Sequence, residues 1–158
     1  MSDSQASLPL LLEPEVLHNY ISTGQIDALH CAILDFCQPQ MYATAHNPGA
    51  VHVAIGLLIK GEKPASGLLP SRQQLSTLIC QLGINEDTQV ICYDDEGGGW
   101  AGRFIWTLDA IGHNKNTYLN GGIRAWLAAG FETERTPNKA KPSERNININ
   151  QSVIATKD

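Results

Sequence analysis

The chain has 158 residues, of which 42% are hydrophobic and 17% are charged. This length suits one domain, and this composition excludes a largely disordered chain. Aspartate and glutamate outnumber lysine and arginine by 16 to 11, and no lysine or arginine precedes Lys60. Because so acidic a surface repels a phosphate backbone, nucleic acid is not expected as a partner.

No stretch of the sequence is predicted to cross a membrane. The longest apolar run, residues 51–59, is interrupted by His52 and Gly56, and it falls short of the roughly 20 apolar residues that a bilayer requires. The first seven residues are polar and include Asp3, whereas a signal peptide begins with positive charge. We therefore expect a cytoplasmic protein without a membrane partner.

The cysteine and histidine patterns predict neither a metal site nor a cofactor. None of the four cysteines belongs to a C-x-x-C pair; they are Cys31, Cys37, Cys80 and Cys92. Cys92 lies inside a predicted strand, where burial raises the pKa of a thiol and makes it unreactive. Cys37 ends another strand, and the role of a partly buried bystander is favoured over a reactive one. His46 and His52 lack an identifiable third metal ligand.

Predicted strands alternate with predicted helices along the chain. Apolar runs predict strands over residues 9–12, 31–36, 51–53, 88–93 and 117–119. Helical spacing of apolar residues predicts helices over residues 14–23, 38–45, 72–82, 100–111 and 123–129. The first helix has Val16, Leu17, Tyr20 and Ile21 as its apolar face, and Ser71 with Gln74 forms a predicted capping box. This alternation predicts an α/β domain with a central, mostly parallel sheet and helices on both faces.

The composition changes after Phe131. Residues 132–145 are polar and contain Pro137 and Pro142, which is typical of a linker. An extended apolar pattern resumes near Ile147 and continues towards Val153. We divide the chain into a domain at 8–131, a linker at 132–150 and the start of a missing second domain at 151–158.

The segment between the fourth strand and the following helix is the candidate site. It consists of Asp94, Asp95, Glu96, Gly97, Gly98 and Gly99. Backbone N–H groups at such a strand-to-helix turn can hold an anion, but three carboxylates in the same loop repel one and compete for the N–H donors. The alternative interpretation is that the glycines only permit a tight turn.

No nucleophile stands at this turn. A thiolate there would be activated by the helix N-terminus, but Asp94 occupies the position. Arg103 lies one helical turn beyond the loop and is expected to neutralise it. The tryptophans are interpreted as anchors of the core or of an interface; they are Trp100, Trp106 and Trp126.

Several motifs together resemble the rhodanese family. Leu34-Asp35, Tyr42 and His46-Asn47-Pro48-Gly49-Ala50 are similar to the family's first motif. The family commonly has His-Ile-Pro-Gly-Ala there, so Asn47 replaces an isoleucine. The strand at 90–93, the helix through Gly112-His113 and residues 119–127 resemble its second half. The match is stronger still to the first half of bacterial two-domain thiosulfate sulfurtransferases.

The resemblance implies a catalytically inactive domain. In that family the catalytic cysteine lies at the tip of the equivalent loop in the second domain, and the first domain carries aspartate, as at Asp94. It further implies that Asp35 and Arg103 are supporting residues and that Asp94 to Gly99 form a pseudo-active loop. The expected partners are the second rhodanese domain and, in the whole enzyme, small sulfur-containing anions.

The implied reaction moves the sulfane sulfur of thiosulfate to cyanide or another thiophilic acceptor through a cysteine persulfide. This chain alone is expected to be inactive. Three alternatives stay open: a stand-alone inactive module that binds a protein, half of a 3-mercaptopyruvate sulfurtransferase, and a weak sulfur carrier based on Cys37.

Overall fold

A computed structural model describes residues 8–28, 30–53, 72–95, 97–140 and 142. The described strands are β1 (Leu11–Leu12), β2 (Cys31–Asp35), β3 (Val51–His52), β4 (Gln89–Tyr93) and β5 (Asn116–Leu119). The described helices are α1 (Pro14–Thr23), α2 (Gln25–Ala28), α3 (Pro39–Thr44), α4 (Arg72–Gln81), α5 (Gly99–Ala110) and α6 (Gly122–Ala128). The predicted alternation of strands and helices is confirmed.

The five described strands form one sheet in the order β1-β5-β4-β2-β3. Every pairing is parallel, so the predicted parallel sheet is confirmed. β4 lies at the centre and all five of its residues are buried, which explains its unbroken apolar sequence. Because the strands run in one direction, their carboxyl ends share one edge, where the loops after β2, β4 and β5 meet.

Helices cover both faces of the sheet. On one face the buried side chains of α4 and α5 form one apolar cluster with those of β2 and β4, which includes Leu34, Ile79 and Phe104. On the other face α1, α3 and α6 supply buried side chains that include Leu17, Tyr42 and Trp126. Burial of these apolar surfaces is the main force that stabilises the domain.

Two local details differ from the sequence prediction. Val16 was expected on the buried face of α1, but 38% of its surface is exposed, and Leu17 carries the contact instead. α2 follows Gly24 directly, and four residues are too few for a helical periodicity to be recognised. The predicted loop at 60–70 and the capping residue Ser71 lie outside the described residues.

Part of the predicted linker packs on the domain. Glu134 pairs with His46 in an antiparallel bridge through two backbone hydrogen bonds of 2.8 and 2.9 Å. Asn138 donates its backbone N–H to the hydroxyl of Tyr42 and its side-chain amide to the carbonyl of Ala50. We call residues 132–140 the strap; it lies beside α3 and the start of β3. Within the described part of the chain, no helix has the length and apolar character needed to span a membrane.

Candidate functional site

The carboxylate of Asp94 occupies the loop between β4 and α5. One oxygen, Oδ1, accepts the N–H of Gly98 at 2.8 Å, and Oδ2 accepts the N–H groups of Trp100 and Ala101, both at 3.0 Å. The side chain is buried, with 1% of its surface exposed. The prediction that an acid of the loop takes the N–H donors is confirmed.

This arrangement fills the anion-binding position at the N-terminus of α5. The three donors point to the place where an incoming anion would be held, and a negative group of this chain is already there. Asp95 follows in the same loop, so an external dianion would meet like charge as well. Glu96 lies outside the described residues.

The turn between β5 and α6 packs against the loop that carries Asp94. The N–H of Ile123 donates to the carbonyl of Asp94 at 3.2 Å. Gly122 has φ +58°, and a Cβ at this position would lie 2.1 Å from the same carbonyl oxygen. Only a residue without a side chain permits this approach. The Asn-Gly-Gly sequence therefore fixes the position of the loop as well as making a turn.

Asp35 lies beneath the loop at the end of β2. It is fully buried, and its Oδ1 accepts the N–H of Cys37 at 2.8 Å. Burial raises the pKa of this carboxyl above its usual value, although the Tyr93 hydroxyl and the Cys37 N–H act in the opposite direction. The Tyr93 hydroxyl in turn accepts the N–H of Asn47 at 2.9 Å. Tyr93 of the central strand therefore contacts both Asp35 and Asn47 of the first motif.

Three of the four thiols are poor nucleophiles in this fold. Burial and the nearby carboxylates of Asp35 and Asp95 raise the pKa of the Cys37 thiol well above its ordinary value. Burial, with Asp94 as a smaller cause, does the same for Cys92. Burial and Asp27 raise the pKa of Cys31 to about 11. Since the thiolate is the reactive form, none of these three is suited to attack sulfur at neutral pH.

Two arginines lie near the loop. The guanidinium of Arg103 lies 5.7 Å from the ring centroid of Trp106, and burial lowers the pKa of this arginine. Its neutralisation of the acidic loop stays a prediction. Arg124 donates from Nε to the carbonyl of Asp95 at 3.2 Å. Sequence reasoning missed this residue, although it lies two positions beyond the Gly-Gly turn.

His46 and His52 both make hydrogen-bonding contacts with backbone carbonyl groups. Nδ1 of His46 lies 2.8 Å from the carbonyl of Tyr42, and its Nε2 lies 3.4 Å from Glu134 Oε1. Nε2 of His52 lies 2.9 Å from the carbonyl of Cys37. Among the described residues, no three histidine, cysteine or carboxylate side chains are grouped to hold a metal ion. Of the tryptophans, Trp126 is buried in the core and Trp106 is 38% exposed.

Comparison with known proteins agrees with this fold. The model of the rhodanese-like domain matches residues 13–129, so the chain belongs to the rhodanese family. It is 45% identical over 126 residues to a thiosulfate sulfurtransferase of Azotobacter vinelandii, and 43% identical over 130 residues to one of Pseudomonas aeruginosa. These alignments cover 80% and 82% of this chain.

The structural comparison places the chain beside a longer enzyme. SseA from Escherichia coli, a 3-mercaptopyruvate sulfotransferase, superposes with a TM-score of 0.77 at 25% identity. That superposition covers 90% of this chain and 56% of SseA. The alignments with the Azotobacter and Pseudomonas enzymes cover 45% and 46% of those proteins. The chain therefore spans about half the length of the curated relatives that it matches.

Proposed function

We propose that this chain is the non-catalytic rhodanese domain of a thiosulfate sulfurtransferase. In the proposal it forms one wall of the cleft between two domains and supports the catalytic domain. The homology to sulfurtransferases supports the reaction class. The carboxylate of Asp94 supports the non-catalytic role, because it accepts three N–H donors at the turn where the reaction needs a thiolate.

The proposed reaction takes place on a second rhodanese domain. A low-pKa cysteine there attacks the sulfane sulfur of thiosulfate; the S–S bond of the donor breaks and sulfite leaves with the electron pair. The resulting persulfide passes its outer sulfur to cyanide or another thiophilic acceptor. This domain contributes no covalent step, and its acidic loop at Asp94 and Asp95 does not bind the anionic donor.

The donor is assigned to thiosulfate on the strength of the curated relatives. The Azotobacter and Pseudomonas proteins are thiosulfate sulfurtransferases at 45% and 43% identity. The similarity to SseA, at 25% identity, favours 3-mercaptopyruvate as the second candidate donor. A cytoplasmic location is also part of the proposal, since the four cysteines form no disulfide and free thiols suit a reducing compartment.

Thiosulfate:cyanide turnover by purified residues 1–158 tests the proposal. The Azotobacter vinelandii enzyme, assayed in the same buffer, is the positive control. We expect no turnover above the rate without protein. Intact-mass measurement after thiosulfate treatment should show no gain of about 32 Da, the mass of one sulfur atom. Turnover comparable with the control, or a persulfide on Cys37, would contradict a non-catalytic role.

A further inference from the structure

A groove runs along one side of β2, near the amino-terminal end of this strand. It has a volume of about 520 Å³, within the range of ligand-binding clefts, roughly 300–1,000 Å³. All four residues from Cys31 to Leu34 line it. Because successive side chains of a strand point to opposite faces of the sheet, four consecutive lining residues place the groove beside the strand and not over one face. We call it the β2 groove.

β3 covers only part of this side of β2. It pairs with the last two residues of β2, and within the described residues no strand pairs with this side of residues 31–33. The reason is the turn before β3, which is closed by a 3.0 Å bond from the Ala50 N–H to the Asn47 carbonyl and has Gly49 at φ +84°. This turn directs the chain away from β2, and it leaves the start of β2 open.

The backbone of β2 directs polar groups into this opening. The carbonyl of His30 accepts the first N–H of β4, so the even-numbered residues of β2 direct their N–H and C=O groups towards β4. The odd-numbered residues face the other way, and the carbonyl of Asp35 accepts the Val53 N–H at 2.8 Å. The N–H and C=O of Cys31 and the N–H of Ile33 therefore face the groove. Such a row of backbone groups is a template for pairing with a further strand.

Side chains from both helical layers form the walls of the groove. Ile21 and Ile26 come from the layer that contains α1, and Leu82 follows α4 in the other layer. An extended chain placed between these walls is covered on both faces, as a central strand of a parallel sheet is. The groove therefore has the shape of an unfilled strand position.

Two carboxylates restrict what can occupy the groove. Asp27 and Asp87 line it and are exposed, and within the described part of the chain neither forms an ion pair. Burial and Asp27 together raise the pKa of the Cys31 thiol, so this negative charge lies beside the open backbone groups. His30 and Lys139 of the strap also line the groove. The two carboxylates and the net charge of −5 favour an occupant with a basic side chain.

We propose that the β2 groove binds an extended peptide segment of a partner protein, which pairs with the backbone of Cys31 and Ile33 and directs a lysine or arginine to Asp27 and Asp87. The three open residues of β2 offer about 10 Å of strand. The site is separate from the sulfur-transfer reaction, because it lies at the amino-terminal end of β2 and the Asp94 loop follows the carboxyl end of β4.

A display library of random heptapeptides, selected on residues 1–158, tests this site. The selected peptides should combine alternating apolar residues with a lysine or arginine. When a synthetic copy of one saturates the protein, amide exchange at Cys31 and Ile33 should slow at least about tenfold. Alkylation of the Cys31 thiol by iodoacetamide should slow as well. Cys80 is the internal control, because it is also partly exposed and lies outside the groove.

Charge variants test how the peptide is recognised. Asp27→Asn combined with Asp87→Asn should weaken binding by about fivefold or more. Glu15→Gln combined with Glu132→Gln is the matched control, since it removes the same charge from exposed side chains elsewhere. Equal affinities of the two double variants would overturn the role of the carboxylates.

N-methylation of the peptide separates backbone pairing from side-chain binding. Only every second N–H of a strand faces its neighbour, so methylation of alternate residues should abolish binding in one register and preserve it in the other. Equal effects of both registers, or selected peptides that leave exchange at Cys31 and Ile33 unchanged, overturn the proposal. If these two amides are already protected in the free protein, the groove is filled by the chain itself, which also overturns it.

Discussion

At the scale of single residues, Asp94 determines what the loop can do. Its buried carboxylate accepts three N–H groups at the start of α5. An N-cap side chain stabilises a helix in the same way, and here the acceptor belongs to the preceding loop. Because these three N–H groups already have an acceptor, none of the three is available to a substrate. One side chain therefore stabilises the helix and occupies N–H groups that an external anion would need.

Replacing Asp94 by alanine should lower the stability of the domain. The change leaves three N–H groups without their acceptor, and we expect a loss of about 2–3 kcal/mol in the free energy of unfolding. Urea denaturation measures it. Asp95→Ala is the control and should cost less than about 0.5 kcal/mol, because Asp95 Oδ1 has no hydrogen-bond partner. Equal losses for the two variants would argue against the capping role.

Asn47 is a second residue whose side chain is expected to affect the free energy of unfolding, in this case by lowering it. It is fully buried, and neither atom of its side-chain amide has a hydrogen-bond partner. Since an unpaired buried polar group is unfavourable, Asn47→Ile should raise the free energy of unfolding by about 1 kcal/mol. Isoleucine is also the residue that the family motif carries there. Asn138→Ala, which removes paired contacts, should do the opposite. A destabilised Asn47→Ile protein would show that the amide has a partner after all.

At the scale of elements, the strap depends on the ionised state of Glu134. Partial burial acts to raise the pKa of Glu134, but hydrogen bonds from Asn138 and the Gly49 N–H, together with His46, hold it below its usual value. A carboxyl with a lowered pKa in the folded state contributes stability above its unfolded pKa, near 4.3, and loses it as the pH falls through the lowered value.

Attachment of the strap should therefore be complete at neutral pH and weaken in acid. Hydrogen exchange of residues 132–140 should accelerate, after correction for intrinsic rates, as the pH falls below about 4. Glu134→Gln should exchange faster at pH 7 and lose this pH dependence. Glu132→Gln serves as the control because its side chain is exposed. A strap whose protection is the same in both variants would rule out the Glu134 contacts as its attachment.

The β5–α6 turn offers a test of how one element positions another. In Gly122→Ala the new Cβ would lie 2.1 Å from the carbonyl oxygen of Asp94, at a φ of +58°. We expect the loop at residues 94–98 to shift and stability to fall by more than about 1 kcal/mol. Gly102→Ala is the matched control, since its Cβ would meet nothing within 4 Å. A wild-type stability for Gly122→Ala would contradict this close packing.

Sequence patterns predicted the elements and missed the contacts between distant polar residues. Apolar runs such as residues 89–93 define the strands because burial on both faces demands them. The position of Asp94 at a strand-to-helix turn also indicated an acid that competes for N–H donors. Glu134 and Asn138 gave no signal, since their polar neighbourhood is typical of a linker and their partners His46 and Ala50 lie about 90 positions away. The unpaired amide of Asn47 likewise depends on tertiary packing.

At the scale of the whole molecule, the carboxyl edge of the sheet combines buried carboxylates with exposed apolar side chains. Asp35 is buried at this edge and Asp94 fills the loop above it, while Leu10 and Leu11 are exposed at the edge strand β1. The three thiols with raised pKa values, Cys31, Cys37 and Cys92, leave no activated nucleophile among them. This combination supports the proposed non-catalytic role.

The most direct measurement is a crystal structure of residues 1–158 after soaking in thiosulfate. The account predicts that the Asp94 carboxylate keeps its contacts with Gly98, Trp100 and Ala101, and that no sulfur atom or dianion is found at the loop. Thiosulfate bound to those three N–H groups, with Asp94 displaced, would contradict the claim that this domain holds its own carboxylate in place of the donor.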